Sequence, residues 1–238
     1  MTETLIDLSG VEFSYSPDRP VLCGCDFRLK PGKRVALTGA NGSGKTSLLH
    51  LIVGLLRPSA GRIEIFGQNR RVETDFFEVR RRIGLLFQDS DDQLFCPTVA
   101  EDVAFGPLNL GLKRDQVRQI VSQTLADLGL DGYENRITHR LSSGEKRLVA
   151  LATVLAMKPD VLLLDEPTNS LDDEAVGRLT NILGGLSQAM ILVSHDGEFR
   201  RQLTDHTLSL RNGHLEAVSD TAAKTSDSEQ SQEHRGKP

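Results

Sequence analysis

No stretch of this 238-residue chain stays apolar for anything near the roughly 18 residues that cross a bilayer, so the sequence offers no membrane-spanning helix. The opening Met1-Thr2-Glu3-Thr4 lacks a basic segment and a long apolar run, and secretion is not expected. Cysteine is scarce. Cys23, Cys25 and Cys96 cannot all pair within one chain and read as reduced, buried thiols of a cytosolic protein. Cys23-x-Cys25 has no second ligand pair, so no metal site is expected there. Excess positive charge is absent too. The 28 Lys and Arg against 33 Asp and Glu leave a net charge of −5, which argues against general nucleic-acid binding. Residues 219–238 contain no Val, Ile, Leu or aromatic side chain and are expected to be a disordered tail, because nothing there offsets the entropy of ordering. No internal repeat is visible. What remains, 38% hydrophobic and 26% charged, has the composition of a globular α/β protein of one large domain or two small ones.

The most informative stretch is Gly39-Ala40-Asn41-Gly42-Ser43-Gly44-Lys45-Thr46, which fits the phosphate-loop pattern G-x-x-x-x-G-K-[ST] at every fixed position. Arg34–Thr38 before it reads as a short buried strand, and Ser47–Val53 after it as an apolar helix. Strand, glycine-rich loop and helix together present backbone N–H groups and a helix N-terminus to phosphate. Lys45 is expected to reach the β- and γ-phosphates of a nucleotide, and the Thr46 hydroxyl to ligate Mg²⁺. A unit charge pair about 3 Å apart at an effective dielectric near 20 is worth roughly 5 kcal/mol gross, so loss of Lys45 should cripple nucleotide use.

The N-terminal part reads as strands over Thr4–Leu8, Val11–Tyr15, Cys25–Leu29 and Arg62–Phe66, followed by Ile83–Phe87. Apolar spacings of three and four predict helices over Val99–Leu110, Arg114–Leu128 and Ser142–Met157. Strand and helix then alternate through Val161–Leu164, Asp172–Leu186, Met190–Val193 and Glu198–Leu203. Asn212-Gly213 turns the closing hairpin between Thr207–Leu210 and His214–Val218. A helical block at about residues 89–158 therefore interrupts a βα-rich region. Val161–Leu164 delivers Asp165 and Glu166 from a buried strand. Asp165 suits a Mg²⁺ contact, and Glu166 is placed to polarise an attacking water as general base.

Leu141-Ser142-Ser143-Gly144-Glu145 completes a set that resembles the ATP-binding-cassette (ABC) ATPases, whose signature is LSGGQ. The resemblance covers about residues 4–218 with six motifs in family order. It implies a P-loop NTPase fold of the α/β class, with an N-terminal antiparallel β subdomain, a RecA-like core and an inserted α-helical subdomain. It further implies that Tyr15 stacks on adenine, and that Gln88 contacts Mg²⁺ and the attacking water. Pro167–Asp172 would meet a partner subunit, and His195 would act as a switch histidine. Gly39, Asn41, Gly42, Ser43, Gly44, Lys45, Thr46 and Ser47 would hold ATP in one subunit, while Ser142 and Gly144 of a second subunit close the site in trans. The signature departs from the pattern twice, with Ser143 for Gly and Glu145 for Gln. The Glu145 side chain is expected to face away from phosphate.

Asp89–Phe95 and Pro97–Leu110 resemble more narrowly the ATPases of energy-coupling-factor (ECF) importers, especially their cobalt and nickel branch. That resemblance implies a homodimer at the cytoplasmic face of the membrane, partnered by a transmembrane coupling subunit and a substrate-binding membrane component. Asp89, Asp91 and Asp92 would meet arginines of the coupling helices. Two alternatives stay open: a biotin or vitamin importer of the ECF type, and a soluble cassette such as one of iron–sulfur assembly.

Overall fold

The computed structural model describes residues 4–218. The tail expectation for 219–238 lies outside the described residues. β1 (Ile6–Ser16) and β2 (Arg19–Leu29) pair antiparallel, and β1 also pairs with β4 (Ala60–Ile65), which pairs with β5 (Gln68–Asn69). The two strands expected at Thr4–Leu8 and Val11–Tyr15 are one strand with a register shift between Leu8 and Val11. Gly61 sits at that irregularity with φ +88, and a Cβ there would lie 2.2 Å from the Gly10 carbonyl. Only glycine allows β4 to approach β1 so closely.

The second sheet runs β10-β9-β3-β8-β7-β6. It is built from β3 (Arg34–Thr38), β6 (Ile83–Leu86), β7 (Val161–Asp165), β8 (Ala189–Val193), β9 (His206–Arg211) and β10 (His214–Val218). All its pairings are parallel except β9 with β10, the hairpin read from Asn212-Gly213. β7 and β8 are buried at every position, as strands covered on both faces must be. Their alternation feeds two cores. Val161, Leu163, Ile191 and Val193 face the antiparallel sheet and α1 (Lys45–Ile52), while Leu162, Leu164, Met190 and Leu192 face the helices on the other side. Each fully buried Leu or Ile contributes roughly 1.5–3 kcal/mol, so the central sheet is held by apolar burial on both of its faces.

Between β6 and β7 the chain forms α3 (Val99–Asn109), α4 (Arg114–Asp127) and α5 (Ser143–Leu155). Thr98 caps α3 and Ser142 caps α5, each in a reciprocal capping box with the glutamate three residues on. α6 (Asp173–Gly185) and α7 (Gly197–Leu203) start at Asp172 and Asp196, whose carboxylates accept from the first-turn amides. α2 (Phe76–Arg82) is a seven-residue helix that buries only Phe76 and Val79, too few apolar positions for its sequence to show a helical period. No helix among the described residues is long and apolar enough to cross a membrane.

Candidate functional site

Residues 39–44 link β3 to α1 and set the loop around the first turn of the helix. Gly44 adopts φ +106, and a Cβ there would stand 2.4 Å from the Val21 side chain, so this step is closed to any other residue. The first turn of α1 carries no acidic side chain, which leaves its positive end uncancelled. Lys45 arches back over the loop, donating from Nζ to the Gly39 carbonyl at 2.9 Å and the Ala40 carbonyl at 3.0 Å. Its ammonium is therefore held beside the loop amides.

The acidic strand meets this loop directly. Thr46 Oγ1 donates to Asp165 Oδ2 at 2.6 Å, across 119 residues of sequence. Asp165 is buried, and burial pushes its carboxyl above the usual range, while Thr46, Arg147 and Lys45 pull it back. Glu166, the next residue, has a left-handed backbone at φ 49. Its Oε2 accepts from the His195 backbone amide at 3.2 Å. Its Oε1 lies 3.4 Å from His195 Nε2 without hydrogen-bond geometry, and this buried oxygen has no partner. An orphaned carboxylate oxygen of this kind is an open acceptor for water. Ser43 Oγ, in the loop itself, is likewise buried without a partner.

Lys45, Thr46, Asp165, Glu166 and His195 line a cleft of about 430 Å³ that also takes in Tyr15, Gln88 and Asn169. Tyr15 stands at its mouth, 61% exposed, packed edge-on to Phe13 and sharing a 2.9 Å hydrogen bond with Ser47 Oγ. The structure thus brings together Tyr15, Asn41, Gly42, Gly44, Lys45, Thr46, Ser47, Gln88, Asp165, Glu166 and His195, while Gly39 and Ser43 of the same loop do not line the cleft. It does not bring Ser142 or Gly144 into this cleft. They sit at the start of α5, where Ser142 Oγ accepts from the Glu145 amide at 3.3 Å. The Glu145 carboxylate is turned onto Ser142 N, Tyr133 and Arg136.

Among the described residues no group of three or more His, Cys, Asp or Glu could hold a metal by itself. Thr46 and Asp165 together fit Mg²⁺ only in the form that arrives with phosphate oxygens and water, the usual way this ion is bound. All three cysteines are free, and burial, with Asp26 beside it, pushes the Cys25 thiol up to about 11.

Asp91 is paired with Lys146 Nζ of α5 at 2.6 Å, and Asp89 Oδ1 accepts from the Asp91 amide at 2.9 Å. Asp92 reaches a second, apolar groove of about 310 Å³, lined by Leu55, Phe87, Phe95, Phe105 and Met157.

Two residues beside the site carry no sequence signal. Arg147, 3% exposed on α5, donates to the carbonyls of Phe87, Gln88, Asp165, Glu166 and Pro167. Burial pulls its pKa down to about 10, partly offset by Asp165 and Glu166. Gln93 accepts from the Phe87 amide and donates to Ala150 O and Thr153 Oγ1. Together they fasten residues 87–93 to α5. Their partners are mostly backbone groups far away in sequence, so no local motif reveals them.

A family model described as ABC transporter matches residues 22–169. The chain belongs to the ABC transporter family. It has the ABC ATPase fold, binds ATP and is an ATPase. A protein of Brucella suis biovar 1, provisionally named an ABC transporter ATP-binding protein, is 55% identical over 211 residues, covering 89% of this chain and 87% of its own length. The energy-coupling factor transporter ATP-binding protein EcfA of Methanothermobacter thermautotrophicus is 44% identical over 215 residues, 89% of this chain and 69% of its own. The solved structure of cbiO1 from Clostridium perfringens, described as part of the ABC transporter complex cbiONQ, superposes with a TM-score of 0.81 at 30% identity, covering 98% of this ABC ATPase and 96% of that chain.

Proposed function

We propose that this chain is the ATP-hydrolysing subunit of an ECF-type importer. It works as a head-to-tail homodimer on the cytoplasmic face of the membrane and drives uptake of a cobalt or nickel ion. One ABC ATPase domain spans residues 1–218, with its helical subdomain at about 89–158. The observation that supports the dimer is that Ser142 and Gly144 do not line the cleft formed by Tyr15, most of the phosphate loop, Gln88, Asp165, Glu166 and His195. A second copy can supply them.

Within each half-site the residues divide the work. The loop amides from Asn41 to Ser47 and Lys45 would hold the phosphates, and Tyr15 would pack on the base. Thr46, Asp165 and Gln88 would hold Mg²⁺, which supplies charge neutralisation of the phosphates when bound. Glu166 accepts the proton of the attacking water at its unpartnered Oε1, and His195 keeps that carboxylate in place. Ser142 and Gly144 of the other copy would contact the γ-phosphate. The closed pair is favoured by that contact and released by its loss.

The importer reading rests on the relative named EcfA and on the cbiO1 structure. The apolar groove beside Phe87 suits a coupling helix of a transmembrane subunit, with Asp92 at its rim for an arginine. Co-expression with candidate membrane subunits and purification in detergent tests this. Asp92→Arg should abolish co-purification while ATP binding persists, and unchanged assembly would sink the docking assignment. Cobalt and nickel uptake by cells carrying the assembled complex tests the cargo. Absence of metal uptake alongside intact assembly would redirect the substrate to biotin or another vitamin.

A further inference from the structure

The signature segment carries a charge that opposes its proposed neighbour. Glu145 occupies the third position of α5, next to the helix N-terminus that a phosphate would approach. A carboxylate there suits the helix dipole, but it also weakens the positive field that the same terminus offers to an anion. The structure surrounds this carboxylate specifically. Its Oε2 accepts from Ser142 N at 2.8 Å, and its Oε1 accepts from the Tyr133 hydroxyl at 2.7 Å and from Arg136 Nη1 at 3.0 Å. The Arg136 guanidinium also lies 3.5 Å over the Tyr133 ring. The backbone carrying it is fixed as well: the Arg136 carbonyl accepts from Val99 N at 3.1 Å, and the Glu134 carbonyl from Ala100 N at 3.0 Å. Arg136 is thereby held by ring, carboxylate and the start of α3 at once.

We infer that Arg136 is the counter-charge that lets a glutamate stand at the fifth position of the signature segment. It keeps Glu145 folded onto Ser142 and leaves the α5 N-terminus receptive to the γ-phosphate of a second copy of this chain. Arg136 is a positioning residue and acts through Glu145 and Ser142. The inference rests on the reading that Ser142 and Gly144 complete the site in trans. Two features separate it from a structural role. A glutamine at position 145 keeps an oxygen for the Ser142 amide but carries no charge to neutralise. A lysine at position 136 keeps the charge but not the planar fork.

The test is a cycle on the full chain, measuring kcat and KM for ATP together with melting temperature. Arg136→Ala should lower kcat about fivefold in the parent, the scale of one charge-assisted contact. Made on Glu145→Gln, the same change should cost less than about twofold, because no uncompensated charge remains. Arg136→Lys should recover most of the loss. Equal losses on both backgrounds, no loss on either, or a fall in melting temperature that Glu145→Gln leaves unrelieved would each overturn the inference. Ser142→Asp separates it from the reading beneath it. That variant keeps an N-cap acceptor but aims a charge at the phosphate. If it hydrolyses ATP at the parental rate, the trans site itself is wrong, whatever Arg136 does.

Discussion

Glu166 holds its backbone at φ 49, a conformation that costs a non-glycine residue about 1–3 kcal/mol. The strain is set against a fixed geometry, since its amide donates to Val193 O at 2.9 Å while Oε2 is held by the His195 amide. The remaining oxygen is left bare toward the cleft, as a base for water requires. Glu166→Gln keeps the shape and removes the basicity. Phosphate release should fall by about 10²–10⁴ while ATP retention on a filter is preserved. Hydrolysis at the parental rate would remove Glu166 from the reaction. The glycine loop and the acids after four apolar residues were legible because their spacing is local, whereas Tyr15, Gln88 and His195 were reached only through the family resemblance. Arg147 and Gln93 were not legible. A side chain that serves backbone carbonyls imposes no residue type on its partners and so leaves no pattern to read.

At the level of elements, α5 is where the parts meet. Its N-cap is Ser142, its first turn is turned onto Tyr133 and Arg136, Lys146 ties it to Asp91, and Arg147 ties it to the strand ends. The helix was visible in its apolar period and in Ser142-x-x-Glu145, but its role as a hub was not. Arg147→Met would leave several buried carbonyls without a donor, a loss of roughly 2–4 kcal/mol seen as a lower melting temperature. Arg147→Lys should recover only part of it, because one ammonium cannot reach carbonyls on both segments. ATPase activity of Arg147→Met, assayed well below its melting temperature, should also fall, since Gln88 loses its anchor to α5. A fully active variant would show that the tie serves folding alone. β1 shows the opposite limit of legibility. Its two halves read as separate strands because Ser9-Gly10 looks like a turn, yet β4 pairs on both sides of that irregularity and keeps one strand.

At the scale of the whole molecule, one buried sheet separates two cores, and the nucleotide cleft lies at the ends of its strands. The sequence announced this layout through fully apolar strand runs alternating with helical periods. Ser142 and Gly144 do not line the nucleotide cleft, and on the proposed reading a second copy supplies them. The central claim is that two copies share two sites, and a mixing experiment tests it most directly. Lys45→Ala disables the phosphate loop but leaves the signature intact, while Ser142→Asp does the reverse. Each protein alone should be inactive. In an equimolar mixture, half of the two-fold pairs are mixed and each mixed pair rebuilds one intact site, so ATPase activity should return to about a quarter of the parental value. A mixture no more active than its two components, with mixed pairs demonstrated by differential tags, would contradict a site shared between chains.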